Sequence, residues 1–358
     1  MDHKRAQGCQ SEIALRTDVL NYQAMNPVIY RIEPCKSALN KTVGMPFRWT
    51  LNPYMGCVHR CAYCYVRAFE KRTDRPSDER YGRSIRVKTN VAQVLGWELH
   101  KRSWKRETVA IGAATDPYQP AEGQFKLTRQ CIQTLAQAHT PFGIITRGPM
   151  IVRDVDVLQE ASARADVSIN VSIPTLDMDV WRLTEPGTSP PHQRLRAVRT
   201  LIDAGIKVGV AMAPVLPGIS DSPEQLEAVV RGAREAGATN VWANVVFLRS
   251  GTREHFFETL SKYWPQLLPR YRRVYAREAY PPESETGPVQ QRVAELRERY
   301  EVADRRAWAI KAPPAAEQLS LLALADTVDA GKAWLESARL GSRQDRYEAR
   351  KTPRYHVA

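Results

Sequence analysis

Three cysteines stand close together at Cys57, Cys61 and Cys64, in the stretch NPYMGCVHRCAYCY, with C-x3-C-x2-C spacing. Thiolates are soft ligands for iron and zinc. Three on one short loop can bind three irons of a 4Fe–4S cluster and leave the fourth iron without a protein ligand. Zinc is the alternative: His59 would complete a Cys3His set, although its place inside the x3 loop makes convergence on one ion awkward. No second CxxC and no HxxxH supplies a conventional fourth ligand. The remaining cysteines, Cys9, Cys35 and Cys131, are dispersed, and Cys131 lies beside Ile132 and Leu135 as a small buried hydrophobe would. Hydrolase and nucleotide-hydrolase signatures are missing: the chain has no G-x-S-x-G, no H-E-x-x-H and no Walker P-loop.

Positioning such a loop needs a scaffold. From residue 47 onward, short apolar β-rich runs alternate with amphipathic helical patterns. The runs Phe47–Leu51, Thr108–Ala113, Phe142–Thr146, Asp166–Ile173, Ile206–Ala213 and Asn240–Leu248 are nearly continuous in apolar residues, as parallel strands buried on both faces are. Between them, Leu127–His139 reads as a helix with Thr128 as its cap. Gln193–Ala204 reads as another, closed by Gly205. Pro223–Ala236 opens on Ser222 with Gln225 as capping-box partner and ends at Gly237. Six strands with crossover helices predict an α/β fold, either an open sheet or a barrel. The division expected is an N-terminal arm at 1–46, a core at 47–250 and a helical C-terminal extension at 251–358. The extension carries linkers at Tyr280–Pro288 and Lys311–Ala316, helical patterns at Val289–Arg299 and Leu319–Leu340, and a disordered tail after Arg339.

The 358 residues carry 52 Lys and Arg against 39 Asp and Glu, a net charge of +13. That excess suits a polyanion, nucleic acid first. Its distribution sharpens the expectation: Arg60–Arg106 carries a net +8 and Arg339–Ala358 a net +4. The segment RYRRVYAR, Arg270–Arg277, interleaves four arginines with Tyr271 and Tyr275, a pattern for phosphate contact plus base stacking. The competing reading is a solvated helix face with both tyrosines packed inward. No apolar stretch is long enough to cross a bilayer and no apolar leader is visible, so the cytoplasm is the expected compartment.

The cysteine spacing, with an aromatic residue before the third cysteine and a strand before the loop, resembles the radical S-adenosylmethionine (SAM) superfamily over about residues 46–250. The words ATDPYQPAE at Ala114–Glu122, ITRGP at Ile145–Pro149, VSIPTLD at Val171–Asp177 and APVLPGISD at Ala213–Asp221 narrow the resemblance to the spore photoproduct lyase-like, or DNA repair photolyase-like, subgroup. The resemblance implies a partial (β/α)6 radical SAM barrel with its site at the C-terminal strand ends. It implies Cys57, Cys61 and Cys64 as ligands of a 4Fe–4S cluster whose open iron chelates SAM. An electron from the cluster then releases a 5′-deoxyadenosyl radical that takes hydrogen from a substrate. It also implies Tyr63 against the adenine, Thr115, Asp116 and Ser172 as polar SAM contacts, and Arg147 on the SAM carboxylate in place of a lysine. An electron donor such as flavodoxin or ferredoxin is implied too. One departure bears on the reaction: Ala113 stands where spore photoproduct lyase has the cysteine that returns a hydrogen atom, leaving a nearby tyrosine or Cys131 as substitute donors. Three substrate readings follow: nucleic acid undergoing repair or modification, a protein or small molecule, or a non-catalytic metal-cluster module that binds nucleic acid. Finally, Gln318-Leu-Ser-Leu-Leu322 resembles the peptide by which repair proteins dock on the bacterial sliding clamp, while its leucines could equally open an amphipathic helix.

Overall fold

The computed structural model describes residues 28–304, apart from 43, 44, 46, 73, 74, 76 and 79. The chain divides into two compact units, Met1–Ala312 and Pro313–Ala358. The second lies outside the described residues, and with it the clamp-like peptide Gln318–Leu322, the helical pattern Leu319–Leu340 and the basic tail.

In chain order the strands are β1 (Ile29–Ile32), β2 (Leu39–Lys41), β3 (Trp49–Leu51), β4 (Tyr54–Met55), β5 (Ser84–Val87), β6 (Val109–Ile111), β7 (Phe142–Thr146), β8 (Val167–Ser172), β9 (Val208–Val215) and β10 (Asn240–Val245). Seven of them form one open sheet in the order β10-β9-β8-β7-β6-β3-β2. Every neighbouring pair runs parallel except β2–β3. Six parallel strands joined through helices give the expected α/β fold with a partial, unclosed (β/α)6 barrel. The register explains why the apolar runs were so continuous. Leu51, Ile111, Ile144, Ile169 and Val208 pair in one row across five strands and are all buried. Polar residues enter at alternate positions of β8, Ser168, Asn170 and Ser172, and at Asn240 and Asn244 of β10.

The arm and the Arg60–Arg106 stretch contribute more than expected. Strand β1 pairs parallel with β5, which pairs antiparallel with β4, making a separate three-stranded sheet, while β2 extends the main one.

The helix starts hold two corrections. Thr128 does not cap the helix Leu127–Gln137. It sits inside it, and the carboxylate of Glu122 instead accepts from the backbone N–H groups of Thr128 and Arg129 at 2.9 and 3.2 Å. Ser222 does cap Pro223–Glu235, accepting from Gln225 N at 3.2 Å, but the Gln225 side chain reaches Asp177 rather than closing a box.

Two further corrections concern the C-terminal region. The expected linker Tyr280–Pro288 is largely helix: Glu283–Arg299 is one continuous element with Pro288 inside it. Burial of Val289, Val293 and Leu296, spaced as one helical stripe, outweighs the Pro and Gly content that read as a turn. In the helix Leu268–Val274 and the turn after it, Tyr271 and Tyr275 are fully buried, donating to the carbonyls of Pro217 and Val246 at 2.9 and 2.6 Å. Neither ring can stack on a base. Among the described residues, no helix is long and apolar enough to cross a membrane.

Candidate active site

The C-terminal ends of the six parallel strands surround one cavity of about 220 Å³. The loop after β3 brings Cys57, Cys61 and Cys64 to its wall; the loop after β6 brings Ala113, Thr115 and Asp116. Arg147 follows β7, Ser172 ends β8, Ala213 and Pro214 come from β9, and Trp242 and Phe247 from β10. All eight residues singled out from the sequence therefore line one space.

The cysteine loop is held by groups other than a metal. Gln119, fully buried, donates to Gly56 O at 3.0 Å and accepts from Val58 N at 3.2 Å. Ala62 N donates to Thr184 O, Gly187 N to His59 O, and Thr252 Oγ1 to Cys64 O, at 2.8, 3.1 and 3.0 Å. Gly187 approaches so closely that an added Cβ would lie 2.2 Å from Val58 O. Tyr81, also buried, sets its hydroxyl 3.2 Å from Cys64 Sγ, and the Arg67 guanidinium lies over its ring at 4.4 Å.

Asp116 is tied within the protein. Its Oδ1 accepts from Tyr118 N and Thr146 Oγ1 at 2.9 and 2.7 Å, its Oδ2 from Arg147 N at 2.6 Å, and His59 Nδ1 lies 3.5 Å from Oδ2. It braces the β6 and β7 loops against each other. Thr115 donates its hydroxyl to Tyr54 O at 2.7 Å, while Asn52 Oδ1 accepts from the backbone N–H groups of Ala114 and Thr115. Ser172 is buried at the cavity wall.

Sequence reasoning missed the group that aims Arg147. Its Nε donates to Glu185 Oε1 at 2.8 Å and its Nη2 to Ala213 O at 3.1 Å. Tyr63 donates its hydroxyl to the same Glu185 oxygen, and Arg194 Nη2 donates to the other at 2.6 Å. Burial alone would raise the Glu185 carboxyl, yet the guanidinium groups of Arg194 and Arg147 hold it down to about 2. Arg194 is fully buried and also donates to Ser172 O at 2.9 Å, tying β8 into the same network. A signal existed: Arg194, Val198 and Leu201 fall on one helical stripe, so a cation stood on a buried face and required a buried anion. Nothing local pointed to Glu185 as that anion.

A family model of the radical SAM superfamily matches residues 51–227. An uncharacterised protein of Mycobacterium tuberculosis is 41% identical over 287 residues, which are 79% of this chain and 83% of that protein. The chain belongs to the radical SAM superfamily. Among solved structures, a spore photoproduct lyase mutant matches with a TM-score of 0.58 at 14% identity, covering 76% of this chain and 79% of that one. Another mutant of that enzyme, with bound AdoMet and dinucleoside spore photoproduct, matches over the same shares with a TM-score of 0.56 at 12% identity. At such identities the likeness is one of fold.

A radical SAM enzyme uses a 4Fe–4S cluster and SAM, and the donor set here fits the cluster. Burial pushes the Cys57 thiol up to about 12 and raises the Cys61 thiol as well, so their ionised forms need a cation beside them. Among the described residues no three His, Cys, Asp or Glu side chains converge to hold a single metal ion. His59 faces Asp116 instead. Three thiols at one cavity wall suit a cluster bound iron by iron.

Proposed function

We propose that this radical SAM enzyme acts on nucleic acid, in repair or modification. The observation that carries the reading is the outward face of the RYRRVYAR segment. With Tyr271 and Tyr275 turned inward, Arg272, Arg273 and Arg277 are exposed and make no hydrogen bond or ion pair among the described residues. The net charge of +13 agrees with this, as does a fold shared with an enzyme solved with dinucleoside spore photoproduct. Cationic side chains free of internal partners are what phosphate contacts require.

Within the site, Cys57, Cys61 and Cys64 are the cluster ligands in this reading, and Arg147 is the group for the SAM carboxylate. Glu185 holds Nε of Arg147 and Ala213 O takes a hydrogen of Nη2, which leaves Nη1 at the cavity wall for a charged contact to the SAM carboxylate. Ser172 contributes a hydroxyl to SAM, Tyr63 a ring wall toward the adenine, and Thr115 and Asp116 the backbone that shapes the pocket floor. When bound, the cluster supplies the electron and SAM the radical fragment typical of the family. The electron itself comes from a flavodoxin- or ferredoxin-like donor. The reaction differs from spore photoproduct repair by a cysteine thiol: Ala113 at the cavity wall has no such hydrogen to give, and Cys131 is fully buried in the core, away from the cavity. The cytoplasm, the three-part division at 46 and 250, and docking of Gln318–Leu322 on the sliding clamp remain parts of this proposal. A peptide covering 314–325 binding purified clamp would support the last.

The test is anaerobic turnover. Cluster-loaded protein, SAM and dithionite are offered single-stranded DNA, duplex DNA or RNA carrying deuterium at the sugar and base carbons. Deuterium appearing in 5′-deoxyadenosine supports the proposal. Deuterium transfer only from labelled lysate protein or metabolites overturns it.

A further inference from the structure

One row of aromatic side chains leads out of the cavity and is not used by the site described above. Tyr65, directly after the third cysteine, lines the cavity together with Phe247, which follows β10. Their rings lie 5.7 Å apart. Phe247 stacks on Tyr280 with centroids at 5.2 Å and planes 20° apart, and Tyr65 meets Phe69 edge-on at 6.1 Å. Both outer ends face solvent: Tyr280 is 59% exposed and Phe69 41%. Large aromatic groups left this open, in contact with one another and continuous with a reaction cavity, mark a surface that something covers.

The charges beside the row say what kind of partner fits. The Tyr280 loop is fixed by a hydrogen bond from Leu248 N to Ala279 O, so it is carried on the strand segment that bears Phe247. The same loop carries Arg277 and follows the helix whose exposed residues include Arg272 and Arg273. Arg249 stands two residues past Phe247, and exposed Lys71 two residues past Phe69. The carboxylates on these segments are mostly engaged. Glu70 pairs with Arg86 and Arg75, Glu285 with Arg270, and Glu254 with Arg253; Glu278 is exposed. Stacked rings bordered by arginines match the alternation of base and phosphate along an unpaired strand.

We propose that Phe69, Tyr65, Phe247 and Tyr280 form a stacking track for unpaired nucleobases, along which a single strand or an extruded nucleotide reaches the cavity, with Arg272, Arg273 and Arg277 on the backbone phosphates. This rests on the nucleic-acid reading above and names the form in which the substrate arrives. A base inside a duplex cannot enter a cavity of this size, so it must leave its stack, and the outermost ring offers it a new one. The base-stacking role expected of Tyr271 and Tyr275 passes to rings that are open to solvent.

The experiment measures binding of the full-length, cluster-loaded protein to fluorescent twelve-nucleotide dT and U strands and to a duplex of equal length, by anisotropy across a salt series. Tyr280→Ala and Phe69→Ala remove exposed rings, so melting temperature should hold while single-strand affinity falls at least about fivefold per lost ring. Tyr280→Phe should restore it. Duplex affinity should change little, and the salt slope should stay the same. Arg272→Glu with Arg277→Glu should instead flatten the salt slope for both forms. If wild-type protein binds strands well and Tyr280→Ala with Phe69→Ala binds them equally, the track is wrong while the nucleic-acid reading stands. If wild-type protein binds no nucleic acid even at low salt, both fall.

Discussion

Glu185 makes the arithmetic at the centre of this site clear. One carboxylate serves Arg147, Arg194 and Tyr63 without access to water, so each partner depends on it. Glu185→Ala would leave the buried Arg194 guanidinium, and Arg147 at the cavity wall, without their anion, and unfolding measurements should show a loss of about 3–5 kcal/mol. Glu185→Gln keeps the shape but frees Arg147 to turn, so its iron content should match wild type while equilibrium binding of SAM weakens. Arg147→Ala should weaken SAM binding at least as much, and Arg147→Lys less, because charge survives while the planar fork is lost. Asp116→Ala should behave differently. Its oxygens are occupied by protein donors, so the first effect is a lower melting temperature. The cysteines separate in the same way: Cys57→Ala, Cys61→Ala or Cys64→Ala should each abolish the visible absorbance and iron of the cluster, whereas Cys35→Ala and Cys131→Ala should keep both. Tyr81→Phe, which removes the hydroxyl beside Cys64 Sγ, should keep iron but shift the cluster's midpoint potential downward in an EPR-monitored titration, because a hydrogen bond to sulfur favours the more reduced cluster.

Elements were legible where burial was complete. The runs that form β3, β6, β7 and β9 are almost wholly apolar on a parallel sheet, while β8 alternates Val-Ser-Ile-Asn-Val-Ser and was legible by that period instead. The short strands β1, β2, β4 and β5 were not legible. They span two to four residues, and segments such as Ser-Ile-Arg-Val carry no period beyond chance. Helix ends were read well when one residue supplied the cap, as Ser222 does, and badly when the cap came from another turn, as Glu122 does for Leu127–Gln137. The candidate cysteines and the strand-end motifs were legible because each chemistry lies in one contiguous word. The Glu185–Arg194 pair and the aromatic row were not, because folding alone brings their members together from different elements. Gly187 gives this scale its own prediction. Gly187→Ala would force its methyl against the Val58 carbonyl, and thermal unfolding should show a loss of about 1–3 kcal/mol from the strain of moving the cysteine loop.

The molecule as a whole should be less stable in acid. Burial lowers His255 to about 4, so the unfolded chain takes up that proton first, and stability present above about pH 6.5 declines as pH falls toward 4. Glu185 adds a second decline as pH falls from about 4.5 toward 2, since its folded carboxyl stays ionised where the unfolded one does not. Melting curves between pH 8 and 4 should therefore shift monotonically downward, and His255→Gln should flatten the upper part of that range. The net charge acts at the same scale: affinity for any nucleic acid should fall steeply with salt as counterions are released. Gln119, Thr184, Gly187 and Thr252 hold the cysteine loop through bonds that need no iron. In a zinc finger the metal is the fold, and chelation unravels the chain. Here removal of the iron by a chelator under anaerobic conditions should leave a folded protein, with circular dichroism and a cooperative melting curve as the check.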